Sequence, residues 1–320
     1  MKCFIGIDTS CYTTSVAVMD ATGYLLSDCR RLLTVKAGGR GLAQSEMVFQ
    51  HTRNLPELFE QAISILPSAA RFAGIAVSSC PRPEPDSYMP AFLVGYGQAR
   101  TLSTTLRIPF AAISHQENHI YAGLWSAQWQ PSGDFLAVHL SGGTTEVVRV
   151  DNWSVQPHVS ILGRSIDLHA GQFIDRVGVA LGLPFPAGPY LEKLAADYTG
   201  QPVEIPWSVK GDAVSFSGPE SHAQRLITQG AEPGAIAAGV QDCIARSIIS
   251  LIAQAAAKSN LSEVLLAGGV TANSYIRQYV TQHLQQQSLR IYIPEPKYSS
   301  DNAVGAVYLA VQAAAKSVTA

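Results

Sequence analysis

The order of strand-like and helix-like segments constrains the fold of this chain more than any single motif does, because the same order occurs twice. The first third begins with three strand-like segments separated by polar turns. The whole first copy consists of strands at 4–8, 14–20 and 24–35, a helix at 44–66, a strand at 74–79, a helix at 91–106, a strand at 110–113 and a helix from His115. This copy predicts the order βββαβαβα.

The order restarts after a turn-forming Gln-Pro-Ser-Gly segment at 130–133. The second copy consists of strands at 135–140, 145–150 and near 155–162, a helix at 170–182, a long helix marked by apolar residues from Ile236 to Ala255, a strand at 264–267, a helix at 273–287, a strand at 290–293 and a final helix from Asn302. A segment rich in Pro and Gly at 183–218 interrupts this copy, and we expect it to be irregular.

This duplicated order predicts an α/β protein with the two-lobed fold of actin-like ATPases and sugar kinases, which is also called ribonuclease H-like. We expect an N-terminal lobe at 1–130 and a C-terminal lobe at 131–320, with a hinge at the seam and a ligand-binding cleft between the lobes. The segment at 183–218 is predicted to be an insertion over that cleft, and the last helix, at 302–316, to pack back on the first lobe.

Composition narrows the class of protein. Hydrophobic residues make up 47% of the 320 residues and charged residues only 14%, with a formal net charge of −2 and no run of Lys or Arg that would mark a nucleic-acid or membrane surface. The five cysteines include no CxxC pair, which indicates reduced thiols. The chain has no signal-peptide pattern and no uninterrupted apolar run of about 20 residues. We therefore predict a cytoplasmic protein that is not associated with a membrane.

Three glycine-containing turns stand where a two-lobed cleft would bind a nucleotide. The first carries Asp8, Thr9 and Ser10 at the end of a strand, and the second, Ser-Gly-Gly-Thr-Thr at 141–145, is its counterpart in the second copy. The third, Ala-Gly-Gly-Val-Thr-Ala-Asn at 267–273, joins a strand to a helix, so the helix N-terminus and the Asn273 amide are predicted to face a ligand. Each turn alone is also explained by tight-turn geometry, and no GxxxxGK[ST] sequence supports a P-loop.

Two histidines and an aspartate form a candidate metal site. Ser114 and Glu117 predict a capping box that starts a helix there, which places His115 and His119 one turn apart on one face. The HExxH motif of zinc peptidases needs Glu directly after the first histidine, but Gln116 occupies that position, so peptidase activity is not expected. Asp301 could complete the ligand set. The alternatives are two packed or surface histidines and an Asp301 that only caps the last helix.

Taken together, these motifs resemble those of the TsaD/Gcp family, which transfers a threonylcarbamoyl group to adenosine in tRNA and was formerly labelled O-sialoglycoprotein endopeptidase. The resemblance covers nearly the whole chain. It is carried by GIDTSC at 6–11, HQENH at 115–119, SGG at 141–143, SIDLHAGQFID at 165–175, LGLPFPAGP at 181–189, SFSG at 215–218, AGGVTAN at 267–273 and DN at 301–302.

The resemblance implies which residues bind what. His115, His119 and Asp301 match the family's metal ligands, and the metal is iron by resemblance, with zinc or magnesium as alternatives. The residues that match nucleotide and substrate contacts, or lie in the matching glycine turns, are Asp8, Thr9, Ser10, Leu140, Ser141, Gly142, Gly143, Thr144, Asp175, Gly188, Gly268, Gly269 and Asn273. Asp175 would bind ribose hydroxyls, and the ligand would be ATP, ADP or threonylcarbamoyl-adenylate.

Several positions depart from the family pattern. Tyr12 and Thr144 replace an acidic residue and a histidine, and a proline-rich loop at 80–85 replaces a Gly-Pro-Gly loop. Leu168 and Gln172 replace two further acidic residues. These changes indicate a divergent paralogue that keeps the metal ligands while its substrate side is altered.

The function implied is a metal-dependent, nucleotide-binding transferase of the threonylcarbamoyl or carbamoyl type. Its acceptor would be tRNA or another amine or hydroxyl compound, and it would assemble with partner subunits or as a homodimer. A non-catalytic partner or scaffold of a tRNA-modification complex is one alternative, which the replacements at Tyr12 and Thr144 favour. A small-molecule kinase on the same fold is another, but no carboxylate base is clearly placed for it in the first lobe.

Overall fold

The computed structural model describes residues 1–10, 12–35, 42–153 and 157–319. These residues form two compact units, which are Met1–Gln128 together with Ser300–Ala320, and Trp129–Ser299. We call them unit 1 and unit 2. Cys11, which belongs to the first glycine-turn motif, and the beginning of the strand predicted near 155–162 lie outside the described residues.

Unit 1 is built on a five-stranded sheet in the order β3-β2-β1-β4-β5. Its strands are β1 (Lys2–Asp8), β2 (Thr13–Asp20), β3 (Leu25–Leu32), β4 (Arg71–Cys80) and β5 (Phe110–Ser114). The first three strands form an antiparallel meander, and β4 and β5 run parallel to β1. Because parallel strands end at the same edge of a sheet, the carboxyl ends of β1, β4 and β5 bring Asp8, Ser78 and Ser114 to one edge.

Among the residues of unit 1 that the structure describes, four helices cover the sheet. They are α1 (Gln44–Ser64), α2 (Phe92–Leu106), α3 (His115–Ser126) and α10 (Val304–Thr319). The last helix packs on β1, β4 and α3. Gly6 permits this contact, because a Cβ there would lie 2.4 Å from the Ala303 carbonyl oxygen. The core between sheet and helices is made of aliphatic residues such as Ile5, Ile7 and Leu55.

Unit 2 contains a seven-stranded sheet in the order β12-β11-β6-β7-β8-β10-β9. Its strands are β6 (Phe135–Leu140), β7 (Thr145–Asp151), β8 (His158–Ser165), β9 (Val209–Lys210), β10 (Ala213–Val214), β11 (Glu263–Ala267) and β12 (Arg290–Tyr292). As in unit 1, an antiparallel meander, β6-β7-β8, adjoins strands that run parallel to its first member, here β11 and β12. The central strand β6 is buried along its whole length.

Most helices of unit 2 pack on one long buried helix. They are α4 (Ala170–Ala180), α5 (Gly188–Ala196), α6 (Ser217–Thr228), α7 (Pro233–Ser259), α8 (Ser274–Gln286) and α9 (Pro296–Ser299), with a 3-10 turn at Gly269–Ala272. Helix α7 is long and apolar enough to cross a membrane by length and composition, but 72% of its most apolar window is buried inside the protein. Its apolar surface is therefore explained by core packing.

The element order agrees with the sequence prediction except in four places, one of which is the short helix α9, which was not predicted. The segment at 183–218 is not irregular, because it contains α5 and the small β9-β10 hairpin that extends the sheet beside β8. Helix α6 was not predicted, since Ser217 to Glu220 provide no continuous apolar stripe. The final helix begins at Val304 rather than at Asn302, because the Asn302 side chain accepts a hydrogen bond from Val304 N at 2.8 Å.

Candidate metal and nucleotide site

The two histidines lie on the first two turns of α3, as the sequence predicted. The capping box is present: the Ser114 hydroxyl accepts from Glu117 N at 3.1 Å, and the Glu117 carboxylate accepts from Ser114 N at 2.7 Å. This cap fixes the start of the helix, so His115 and His119 share one face. Their Nε2 atoms are 3.1 Å apart.

Asp301 of unit 1 meets the same two nitrogens. Its Oδ1 lies 3.5 Å from His115 Nε2 and 3.4 Å from His119 Nε2. Three ligands held about 2.1 Å from one ion at tetrahedral or octahedral angles lie about 3.0 to 3.4 Å from one another. The geometry of the three side chains therefore fits a shared divalent ion, with coordination positions left for a ligand.

Asp8 orients the His115 ring through the nitrogen that does not face Asp301. Its Oδ2 lies 2.8 Å from His115 Nδ1 and accepts from the Ser78 hydroxyl and the Asn118 amide, each also at 2.8 Å. Its Oδ1 accepts from Ser10 N at 2.7 Å. Because an ionised carboxylate only accepts, His115 Nδ1 carries a proton, so Nε2 is the nitrogen that would bind an ion once it has lost its own proton. The sequence predicted a nucleotide contact for Asp8 and did not predict this second role.

The ionisable side chains around the candidate metal site shift one another's pKa values. Burial would raise the pKa of Asp8, but the adjacent His115 outweighs it and lowers the pKa below the ordinary value. The pKa of Asp301 is likewise lowered, against the effect of burial, by hydrogen bonds and charge from both histidines. Burial would lower the pKa of His115, but Asp8 and Asp301 raise it well above its usual range. Burial and the neighbouring His115 lower the pKa of His119.

Asn118 connects the histidine helix to the segment that carries Asp301. It is completely buried, and its Nδ2 donates to Asp8 and, at 2.6 Å, to Asn302 O. Its Oδ1 accepts from Ala306 N at 2.7 Å. Gly305 allows this approach, since a Cβ there would lie 1.9 Å from Asn118 O. No residue pattern in the sequence pointed to Asn118, because its partners are about 110 and 185 residues away along the chain.

The other residues of the first predicted turn are buried in unit 1. The Thr9 hydroxyl donates to Ala91 O at 3.0 Å and accepts from Gly95 N at 3.1 Å, which anchors the end of β1 to α2. The Ser10 side chain is fully buried, and within the described residues its hydroxyl has no hydrogen-bond partner.

In unit 2, the turn after Leu140 leaves its glycines open. Ser141 N donates to Thr144 O at 2.7 Å, and Gly143 N donates to the Ser141 hydroxyl at 3.2 Å. Gly142 and Gly143 are exposed, and a Cβ on either would have no atom within 4 Å. The turn is therefore closed by its own hydrogen bonds, while its glycine backbone faces open space.

Two further glycine segments meet this turn. Gly268 has a φ of 96°, and a Cβ there would lie 2.4 Å from Leu140 O. A Cβ at Gly171, which the sequence reading did not single out, would lie 2.7 Å from Gly142 N. The start of α4 and the loop after β11 thus converge on the β6-β7 turn. Gly269 is exposed beside them.

Of the remaining predicted residues of unit 2, Asn273 and Gly188 lie at helix starts, and Asp175 lies in the middle of α4. Asn273 caps α8 by accepting from Ile276 N at 2.9 Å, so its amide oxygen already has a partner. Asp175 accepts from Ala187 N at 2.7 Å and is therefore next to Gly188, the first residue of α5. Burial raises the pKa of Asp175, although the Ala187 hydrogen bond opposes this. The structure thus brings Asp175 and Gly188 together.

The positions that depart from the family pattern have structural roles. Leu168 is buried in the core of unit 2, and Gln172 accepts from His169 N at 3.2 Å at the start of α4. In the proline-rich loop, Pro81 O accepts from Gln116 N at 3.1 Å, so this loop is fastened to the helix of the two histidines.

The fold is the α/β fold of actin-like ATPases and sugar kinases, and it carries a candidate metal site at His115, His119 and Asp301. The structure is similar to a ROK family glucokinase from Streptomyces griseus in complex with glucose and AMPPNP, with a TM-score of 0.54 and 13% identity over 97% of this chain and 99% of the other. It is also similar to the (R)-2-hydroxyglutaryl-CoA dehydratase component A of Acidaminococcus fermentans, with a TM-score of 0.59 and 17% identity over 98% and 100% of the chains. The predicted fold class is confirmed.

Sequence comparison narrows the class to one family. The family described as TsaD, tRNA N6-adenosine threonylcarbamoyltransferase, matches residues 36–307. A relative of that same name from Methanopyrus kandleri is 30% identical over 304 residues, which cover 93% of this chain and 84% of the relative. The chain belongs to the TsaD family, as its motifs predicted.

Proposed function

We propose that this protein transfers a threonylcarbamoyl group from threonylcarbamoyl-adenylate to the N6 amine of adenosine in tRNA. The observation that carries the proposal is the family match over 36–307. The cluster of His115, His119 and Asp301 supports it, because three converging ligand atoms with open positions suit an acyl transfer that develops charge on oxygen.

The reaction exchanges one bond to the carbonyl carbon for another. The adenosine amine attacks the carbonyl carbon of the mixed anhydride, a C–N bond forms, and the bond from carbon to the phosphate oxygen breaks. AMP leaves with the electron pair of that bond, and the amine loses a proton. A divalent ion bound in the cluster would act as a Lewis acid toward the oxygens of the donor.

The residues of unit 1 would hold and orient the ion's ligands. His115 and His119 would offer Nε2 lone pairs, and Asp301 would offer a carboxylate oxygen. Asp8 would keep His115 in the tautomer that leaves Nε2 for the ion, since it accepts a hydrogen bond from Nδ1–H. Thr9 and Ser10 would shape the end of β1 beside them. The chemistry of the donor set allows iron or zinc, with magnesium less favoured because two of the three ligands are nitrogen.

The glycine turns of unit 2 would bind the adenylate. The open backbone at Gly142, Gly143 and Gly269 would approach phosphate or ribose without a Cβ in the way. Asp175 would accept hydrogen bonds from ribose hydroxyls, next to the helix N-terminus at Gly188. The adenylate-binding surface would be bordered by Leu140, Ser141, Thr144, Gly268 and Asn273.

A reconstituted reaction tests the proposal. The purified protein, loaded with Fe²⁺ or Zn²⁺, is incubated with threonylcarbamoyl-adenylate and unmodified tRNA, alone and with cell extract that supplies partner subunits. Digestion to nucleosides and mass spectrometry should show N6-threonylcarbamoyl-adenosine. The proposal is wrong if wild-type protein gives no modified nucleoside under either condition. Product that forms only with the extract would identify a need for partner subunits.

A further inference from the structure

A row of polar side chains crosses the sheet of unit 1 on the face that carries the candidate metal ligands. The strand register pairs Asp8 of β1 with Ser15 of β2, and Ser15 with Arg30 of β3. Directly paired residues of neighbouring strands point to the same side of a sheet. Asp8 identifies that side, because it contacts His115 and Asn118 of α3. Arg30 therefore lies on the same side of the sheet as the metal ligands.

The neighbouring arginine of β3 points to the other side. Arg31 is paired with Thr14, one residue along each strand, so both side chains alternate to the opposite face. That face is covered by α1, since Arg31 donates to Glu57 at 2.6 Å and the Thr14 hydroxyl lies 2.8 Å from His51 Nδ1. Two adjacent arginines thus serve different layers of unit 1.

Asp28 fixes the orientation of the Arg30 guanidinium. The two residues are two positions apart on β3 and share one face of the sheet. Arg30 Nε donates to Asp28 Oδ1 at 2.8 Å, and Nη2 donates to Oδ2 at 2.6 Å. The exposed fractions of the two side chains are only 20% and 19%. This bidentate, largely buried pair fixes the plane of the guanidinium and hence the direction of its third nitrogen, Nη1.

That third nitrogen contacts the segment that carries Asp301. Arg30 Nη1 donates to Ser300 Oγ at 3.3 Å and to Asp301 O at 3.4 Å. On the other side of the segment, Asn118 Nδ2 donates to Asn302 O at 2.6 Å. The main chain around Asp301 is therefore held from β3 by an arginine and from α3 by an asparagine.

Asp301 depends on such contacts more than the other two candidate ligands do. His115 and His119 lie on α3, whose backbone is fixed by the hydrogen bonds of the helix. Residues 300–303, which the structure describes, belong to neither a helix nor a strand. A metal ligand has to be held within about 0.5 Å of its productive position, and a carboxylate on a short side chain moves with its main chain.

We propose that Arg30, oriented by Asp28, is a positioning residue for Asp301. By holding the Asp301 carbonyl group and the Ser300 hydroxyl, it keeps the Asp301 carboxylate directed at the two histidines and so raises the affinity for a divalent ion. Arg30 itself does not touch the ion. This inference rests on the metal site of the proposed function, but it does not depend on the acyl-transfer step.

Titration of the metal-free protein with Co²⁺ tests the inference without an activity assay. Arg30→Met should raise the Kd for Co²⁺ about 10-fold to 100-fold, the usual effect of losing a group that orients a metal ligand. Arg30→Lys keeps the charge but cannot hold Asp28 with two parallel hydrogen bonds and reach Asp301 O as well, so its Kd should be intermediate. The visible spectrum of bound Co²⁺ reports its ligands, and in Arg30→Met it should shift toward the spectrum of Asp301→Ala.

The neighbouring arginine provides a matched control. Arg31→Met removes the same side chain from the same strand and also breaks an ion pair, but on the face covered by α1, so the Kd and the spectrum should stay as in the wild type. The double variant Asp28→Asn/Arg30→Met leaves no unpaired carboxylate and continues the test if Arg30→Met does not fold. Its Kd should rise by the same factor as in Arg30→Met.

The inference and the proposed function fail in different ways. If the wild type binds Co²⁺ and the folded Arg30 variants bind it with the same Kd and spectrum, Arg30 does not position Asp301, and the proposed function stands. Lower stability in denaturant unfolding, without a change in Kd or spectrum, would show a structural role only and would also overturn the inference. An equal rise of Kd in Arg31→Met would indicate a general effect of charge and would overturn it as well. If the wild type binds no Co²⁺, the metal site of the proposed function fails and the inference fails with it.

Discussion

Unit 1 and unit 2 differ in how far their candidate functional residues are exposed to solvent. In unit 1, the residues around the candidate metal ligands His115, His119 and Asp301 are buried and joined by hydrogen bonds. Asp8 alone has four hydrogen-bond partners. In unit 2, the glycines of the predicted nucleotide turns are exposed, and their backbone has open space in front of it. A metal site needs fixed donor atoms, whereas an anion-binding turn needs accessible N–H groups.

This difference indicates which substitutions should change the stability of the fold and which should change ligand binding. A change in the buried network of unit 1 leaves polar groups without partners, so it should affect stability and metal affinity together. A change in an open turn of unit 2 should affect ligand binding alone.

The largest effect is expected from removal of a metal ligand. His119→Ala or Asp301→Ala should abolish metal binding and lower turnover at least about 1000-fold, which corresponds to about 4 kcal/mol of transition-state stabilisation. Metal analysis and the modified-nucleoside assay measure both quantities. His158→Ala, an exposed histidine on β8, should retain metal and activity. A fully active Asp301→Ala protein would show that the reaction does not require the three candidate metal ligands.

The next effect concerns the residue that links α3 to the last helix. Asn118→Ala removes the partner of Asp8, of Asn302 O and of Ala306 N at once, and should lower the free energy of unfolding by about 2 to 4 kcal/mol. It should also weaken metal affinity about 10-fold to 100-fold, because Asp8 and Asp301 lose their support. Denaturant unfolding and metal titration measure these changes.

Gln254→Ala, at an exposed position of α7, provides the control for Asn118→Ala. Unchanged metal affinity in a destabilised Asn118→Ala protein would show that the asparagine only holds the fold together.

Two glycines of unit 2 should respond differently to the same methyl group. Gly171→Ala places a Cβ 2.7 Å from Gly142 N and should cost about 1 to 3 kcal/mol of stability. Gly143→Ala meets open space, so stability should stay within about 0.5 kcal/mol while the Kd for AMP rises about 10-fold. Thermal unfolding and calorimetry distinguish them. If Gly143→Ala binds AMP as the wild type does, the turn does not contact the nucleotide.

The smallest effect is expected at Asp175, with opposite signs for stability and binding. Burial raises the pKa of this carboxyl, so its protonated form stabilises the fold at acidic pH and that contribution is lost as pH rises through the raised pKa. Asp175→Asn keeps a neutral acceptor for Ala187 N, and its Tm at pH 7 should equal or exceed that of the wild type. Its Kd for AMP should rise about 3-fold to 10-fold, since a charged acceptor of ribose hydroxyls is lost. A lower Tm would contradict this reading.

Local patterns in the sequence were sufficient to predict most elements and the helix that carries His115 and His119, while the set of metal ligands stays a prediction. The capping box at Ser114 and Glu117 fixed the helix start, and the i, i+4 spacing then placed His115 and His119 together. Asp301 was predicted with them through the family resemblance, and its distance to both histidines agrees with that prediction. The three turns were recognised from their glycines.

Long-range packing could not be predicted in the same way. The contacts of Asn118 with Asp8 and Asn302, and of His51 with Thr14, join distant segments and leave no periodic signal. The α5 helix in the segment at 183–218 was missed because its Pro and Gly residues, which start the helix at Gly188 and Pro189, were taken as signs of irregular structure. The cleft between the lobes and the hinge at the seam stay predictions.

The central claim is that His115, His119 and Asp301 bind one ion together. A crystal structure of the protein loaded with Fe²⁺ or Zn²⁺, with anomalous data collected at the absorption edge of that metal, tests it most directly. We expect one anomalous peak within about 2.0 to 2.2 Å of both Nε2 atoms and of the Asp301 carboxylate. No peak at these three side chains under any metal-loading condition, or a peak held by other residues, would contradict the account.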